Sequence, residues 1–416
     1  MNLLRAGRAV ATVLGGQLAV QAIGAITGFV IVRAMPVEEY ALYTLALSCI
    51  SVASILADGG LGQATLALSG PRAADPAALA RILATAQVWR ARLAALSIAL
   101  AVTGFLYLAA GLGLPWPPVL ATAVVIVPLA LLQIFTQLGE TPLRARGVVG
   151  WLQRLHLEAA LLRALASLAA LALLPVTALL VLATTLAHTW HFGQVRARCR
   201  QDGLSGGTPD PALAPHLRHA LSRALPGAVY YCLSGQIGVM LVSIFGNTED
   251  LAGLGALGRF GIVYAVLTAV LGYLFTPWFA RRTGGGIRRG YLLALGAFAG
   301  LVTATLVLVL LLRRPLLGIL GPEYAGLEEE FALLMLTGAL ATLGGAAHLL
   351  AASRNVYAPP YSSIACSLVV QVLAILSQDL GTLSGVLRMT IIVNTWTLLL
   401  ASGHFLLRPM LPQRLR

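Results

Sequence analysis

Apolar runs of about 20 residues follow one another along almost the whole chain, and short polar knots separate them. The first such run, Leu14 to Val32, ends at "RAMPVEEYALY", and another begins at Ala41. A helix needs roughly 20 apolar residues to cross the hydrocarbon core of a bilayer. Breaks at charges, Pro and Gly predict twelve spans, at 10–34, 41–68, 81–110, 117–139, 154–174, 176–195, 225–246, 253–279, 290–312, 329–353, 360–377 and 381–407. The fifth and sixth form one apolar stretch, divided at Pro175. Only 10% of the 416 residues are charged and 58% are hydrophobic, whereas a soluble domain carries about 25% charged residues. The predicted class is an all-α polytopic membrane protein.

The net charge of +13 comes entirely from arginine, since Lys is absent. These arginines are dealt out between the spans, which argues against a nucleic-acid partner. Alternate loops hold Arg72, Arg81, Arg90, Arg92, Arg144, Arg146, Arg196, Arg198, Arg200 and most of the others, while the opposite loops hold only Arg33, Arg313 and Arg314. Basic residues are retained on the cytoplasmic side, so both termini are expected there, in a multi-pass protein of the cytoplasmic (inner) membrane. The N-terminal apolar run is too long for a signal-peptide core and is read as the first span. Glu38, Glu39, Glu249, Asp250 and Glu328 to Glu330 then fall outside, where Glu38 and Glu39 are expected to keep the first turn in water.

"EEYALYTLAL" after the first span resembles "EDLAGLGALG" after the seventh, which points to two parallel six-helix halves around a central cavity. The expected divisions are an N-terminal lobe at 1–200, a cytoplasmic linker at 201–222 and a C-terminal lobe at 223–416. The linker contains "GLSGGTPDPALAP", a flexible composition.

"GLGALG" at Gly253 to Gly258 opens a membrane helix, not a βαβ unit, so close helix packing explains it better than a nucleotide. Gly24-x-x-x-Gly28 and Gly296-x-x-x-Gly300 are read the same way. His188 and His191, like His216 and His219, stand three apart without a neighbouring acid or Cys. They are expected to be solvated interfacial residues, with no metal and no cofactor. The four cysteines form no C-x-x-C pair, so no disulfide framework is expected. No catalytic constellation appears in the short outer loops, which favours a transporter over an enzyme.

Polar residues inside spans are costly and usually face a cavity or a partner. Arg163, Arg259 and Arg388 are such residues, and so is Asp58, which lacks a helical neighbour to pair it and is a candidate for H+ or Na+ coupling. Its other reading is a hydrogen bond to the backbone loosened by Gly59 and Gly60. Gln17 and Gln21 share a face of the first span, and Gln236, Met240, Ser243 and Asn247 share a face of the seventh. Either stripe could line a cavity or pack against a neighbour. Glu158 should pair with Arg154 four residues earlier.

The stretch "GFVIVRAMPVEEYALYTLALSCISVASILADGGLGQATL", the segment "GNTEDLAGLGALGRFGIVYAVL", Pro277 and the turn "ILGPEYAGL" together resemble the polysaccharide flippase family. That family belongs to the superfamily that also holds multidrug exporters and the lipid II flippase. Met35 and Ala41 depart from its first turn, and Gly255 and Leu257 from the usual start of its eighth helix. The resemblance implies two lobes rocking between inward-open and outward-open states. The implied cargo is a polyprenyl-diphosphate-linked oligosaccharide for cell-surface or exopolysaccharide synthesis, with membrane lipids, a polysaccharide polymerase and export machinery as partners. Buried arginines would hold its phosphates. A multidrug exporter, a membrane polymerase and a non-transporting component of a polysaccharide assembly complex are the rival readings.

Overall fold

The computed structural model describes residues 3–280, 286–354, 356 and 360–407, with side-chain surroundings from Gly15 onward except at 273, 274, 277, 280 and 360. The predicted arginines 281, 282, 408, 414 and 416 lie outside the described residues. The chain is all helical: α1 Leu3–Ala34, α2 Val37–Asp58, α3 Leu61–Ser69, α4 Pro76–Gly111, α5 Trp116–Ala145, α6 Val149–Leu173, α7 Thr177–Gln201, α8 Ala214–Phe245, α9 Thr248–Gly258, α10 Ile262–Val270, α11 Thr276–Ala280, α12 Ile287–Leu311, α13 Arg313–Leu320, α14 Glu328–Ala352, α15 Pro360–Ser377 and α16 Leu383–Leu407. Among the described residues ten helices are long and apolar enough to cross a membrane. Two further predicted spans are α7, made more polar by its histidines and arginines, and the shorter α15.

The predicted breaks have local causes. Pro36 stops α1 and precedes α2, as its missing N–H and fixed φ dictate. The cut at Pro175 lies in the gap between α6 and α7. The second span is interrupted: Gly59 and Gly60 take φ values of 49° and 91°, end α2 and restart the chain as α3. A π-helical turn, Leu271–Phe275, precedes Pro277 in the eighth span.

The acidic residues gather in the first turns of α2, α9 and α14, where they oppose the positive end of the helix dipole. Glu38 is exposed as expected, but Glu39 is half-buried. Its carboxylate accepts the backbone N–H of Thr177 at 2.7 Å, and its carbonyl accepts the Thr177 hydroxyl at 2.6 Å. Glu39 therefore caps α7, satisfying a donor that the helix itself leaves unpaired. In the later turn Tyr324 is buried, as Tyr40 is in the first, and Glu328 meets both Arg313 and Arg314.

The helices form two compact units, Met1–Gly255 and Ala256–Arg416. In the first, α2 packs against α4, α5 and α8; α1 lies on α6, and α7 on α5 and α6. Leu79, Leu143, Leu152, Leu155, Val195 and Leu204 make a core among α4, α5, α6, α7 and the segment after α7. The segment between α7 and α8 has a flexible composition but is packed in place. Leu204 is buried, Gly207 lies against the backbone of Ala80, and the Asp210 N–H donates to the Thr85 hydroxyl at 2.8 Å. Composition reports local propensity, whereas docking on α4 is a tertiary event.

In the second unit α14 packs against α12 and α16. Its core is aromatic: Tyr291 stacks on Phe405 at 4.1 Å, beside Phe279. The Tyr264 hydroxyl donates to the Met335 carbonyl at 2.6 Å, a sound arrangement where lipid offers no partner. Close packing at small residues is seen at Gly255, against Thr44, and at Gly338, against Tyr264. Gly24, Gly296 and Gly300 instead face open space, so the pattern at Gly296 and Gly300 is not a close-packing motif and the earlier one is not close-packed at Gly24. Nothing in an i,i+4 spacing says whether a neighbour lies opposite it.

A Cβ on Gly60 would approach the Ala224 Cβ to 2.4 Å, and its φ is already left-handed. Gly60→Ala should therefore cost about 1–3 kcal/mol, whereas Gly70→Ala, with open space and a helical φ, should change stability by less than about 0.5 kcal/mol. Thermal unfolding of the purified protein in detergent checks the difference.

Candidate functional site

The polar groups of the first unit are concentrated where α2, α4, α5, α6 and α7 meet. Asp58 ends α2, and its carboxylate accepts the N–H groups of Gly60 at 3.2 Å and Gly62 at 3.1 Å. The helix break therefore leaves these two donors satisfied. Arg90, expected with the inner loops, is instead buried within α4 at 1% exposure. Its Nη1 donates to Asp58 at 2.7 Å and its Nε to the Ile134 carbonyl of α5 at 3.3 Å. Asp58, which has no helical neighbour to pair it, makes the hydrogen bonds to the loosened backbone that are its other reading, and is also one half of an ion pair with Arg90. The partner stands 32 residues away, beyond the reach of any helical spacing rule.

A second constellation lies on α5, α6 and α7. Glu140 is 3% exposed. It pairs with Arg144 one turn on and with His156 of α6 at 2.9 Å, and His191 of α7 comes within 3.3 Å. The His156 and His191 rings meet edge-on, and His188 stacks beside His191. His188 also lies 3.4 Å from the Gln133 amide, which accepts from Ser54 of α2 at 3.4 Å. The expectation of solvated interfacial histidines is therefore overturned for α7: His191 is 8% exposed and His188 half-buried. The cause is a carboxylate supplied by a different helix, which sequence proximity could not reveal. His216 and His219 are exposed, as expected.

Of the predicted polar residues, Arg163 alone joins this constellation. It shares a cavity of about 130 Å³ with Val20, His156, Ala159, Ala187, His188 and His191. Gln17 and Gln21 lie on α1, exposed and half-buried respectively. Gln236 is half-buried in α8, whereas Asn247 lies beyond its end and accepts the Asp250 N–H at 2.8 Å. Asn247 is thus a cap of α9. Arg259 lies in a 3-10 turn, Arg259–Gly261, between α9 and α10 and is half-buried. Arg388 is exposed and bound to Glu329 at 2.7 Å. Arg154 and Glu158 pair as the i,i+4 rule expects, at 2.7 Å.

No protein-family model matches the chain, and no curated protein matches it. Solved structures do. The chain is similar to a multidrug resistance MATE family transporter of the MOP superfamily in its inward-facing conformation, with a TM-score of 0.69, 12% identity and 93% of each chain covered. It has the fold of the MOP-superfamily transporters. The lipid II flippase MurJ, in an inward closed conformation, matches with the same TM-score of 0.69 at 10% identity, over 94% of this chain and 88% of that one. The eukaryotic MATE transporter AtDTX14 matches at 0.61 and 14% identity, over 98% and 96%. At such identities the likeness is one of fold. It agrees with the fold expected from the motifs, and because more of these matches are multidrug transporters than flippases it sits better with the exporter alternative than with the lipid-linked flippase.

Arg90 is buried while the Asp58 side chain is a third exposed, so removing Asp58 strands a buried guanidinium and removing Arg90 leaves a partly solvated carboxylate. Asp58→Asn and Arg90→Gln should each destabilise the protein, and the double variant should be less destabilised than their sum, with a coupling of about 1–3 kcal/mol. A double-mutant cycle in denaturant or thermal unfolding reads that coupling; additive effects would mean that the pair contributes nothing.

Proposed function

We propose that this chain is an alternating-access transporter of the cytoplasmic membrane that moves an anionic, lipid-linked cargo of the polyprenyl-diphosphate oligosaccharide class. The observation that carries the cargo class is the lining of the Arg163 cavity. It offers a guanidinium and three imidazoles and no carboxylate. Glu140, in contact with two of those imidazoles, is already matched by Arg144, and Asp58 by Arg90. A cavity for an organic cation would present an acid to the cargo; this one presents donors. Guanidinium forks match phosphate oxygens in two-point contacts, and the apolar tail of such a cargo has no need to leave the bilayer.

The multidrug reading is favoured by the matched MATE structures and makes the opposite prediction. Deletion of the gene should cause an undecaprenyl-linked oligosaccharide to accumulate on the inner leaflet and leave cationic dye efflux unchanged. Normal lipid-linked sugars with reduced dye efflux would replace the flippase with an exporter.

Arg163 tests the cavity itself. Arg163→Lys should retain part of the glycan assembly activity, because charge survives without the two-point fork. Arg163→Gln should lose at least about 10-fold, as expected for a lost charged hydrogen bond of about 1.5–3 kcal/mol. Glycan assembly at matched protein levels is the measurement, and full activity in Arg163→Gln removes this residue from the cargo site.

A further inference from the structure

We infer that Glu140, His156 and His191 bind a divalent transition-metal ion of the zinc class. The three residues come from α5, α6 and α7, and their ligand atoms all lie within 4.8 Å of one another. Glu140 Oε1 stands 2.9 Å from His156 Nε2 and 3.3 Å from His191 Nε2. A tetrahedral zinc ion with bonds of about 2.0–2.1 Å holds neighbouring ligand atoms about 3.4 Å apart, so a small outward breathing of the three side chains admits the ion. Two imidazoles and one carboxylate form a borderline donor set that favours zinc and its neighbours; magnesium and calcium prefer oxygen alone.

Three further observations point to a ligand and away from a simple ion-pair cluster. His191 is 8% exposed, yet its Nε2, 3.3 Å from Glu140 Oε1, is left without a well-formed hydrogen bond. A buried nitrogen left in that state is unusual unless something else occupies its lone pair. Arg144 engages the other oxygen of Glu140, which orients the carboxylate and leaves Oε1 toward the histidines, in the manner of an outer-shell partner. Finally, His156 and His191 both line the cavity that holds Arg163. A fourth coordination position therefore has room for water or an anionic oxygen. The inference rests on side chains of one compact unit and holds whichever cargo is moved.

The test uses the full-length protein in detergent, in a His216→Ala/His219→Ala background that removes the exposed imidazole pair. After stripping with a chelator, dialysis against zinc and elemental analysis should find one zinc per chain, unaffected by excess magnesium or calcium. Cobalt should give the intense visible absorption of a tetrahedral site. His156→Ala and His191→Ala should each weaken zinc binding by about 100-fold or more, comparable to or beyond the loss of an outer-shell partner. Both variants should elute as the parent does on size exclusion, and Glu140→Gln, should it fold, joins them. Absence of stoichiometric zinc in the parent overturns the inference, because the cluster is then an ion-pair lock between three helices. Zinc that survives in the His156→Ala/His191→Ala double variant overturns it equally, because the ion then binds elsewhere.

Discussion

In a bilayer core no water is present to satisfy a backbone N–H or C=O, and each one left unpaired costs several kcal/mol. Every irregularity of this chain at membrane depth has to be reconciled with that constraint. The break between α2 and α3 shows how. Gly59 and Gly60 open the helix, and the Asp58 carboxylate takes up the N–H groups beyond it. A carboxylate in that place needs a counter-charge, and Arg90 supplies it while also donating to a carbonyl of α5. One ion pair thereby joins a broken helix to two continuous ones. Thr27, Thr65, Thr136, Thr184 and Thr185 obey the same rule more simply, each returning its hydroxyl to the carbonyl four residues back.

The constraint also separates two kinds of polar residue. Some are capping groups: Glu39 on α7 and Asn247 on α9 answer donors at helix starts. Others answer one another across helices, as Glu140, His156 and His191 do. The second kind is seen in the first compact unit, beside Arg163, whose cavity is lined by one guanidinium and three imidazoles. The fold alone does not choose a cargo, because it is similar both to a multidrug resistance transporter and to a lipid II flippase.

Much of the architecture is legible in the residues themselves. Apolar length located the spans, and Pro36 and Pro175 marked real breaks, because a missing N–H acts locally. The motif turns at "RAMPVEEY" and "ILGPEY" pointed to the superfamily whose fold the chain has. The glycine patterns were only partly legible: Gly255 touches Thr44, but Gly24, Gly296 and Gly300 touch nothing within 4 Å. Periodicity names a helix face; it does not name what lies across from it.

From the residues alone it follows that the chain is a bundle of membrane helices and where most of them break, but not that Arg90, Glu140 and His191 lie buried within them. Spans and breaks depend on residues within a turn or two of one another. Which polar groups are buried, and which of them meet, follows from how the helices pack. Asp58 and Arg90 stand 32 residues apart, Glu140 and His156 16, and Gln133 and His188 55. Each pair is joined by the rotation and depth at which two helices settle against each other. That register is set by the summed packing of whole helix faces, so no short stretch of the chain records it.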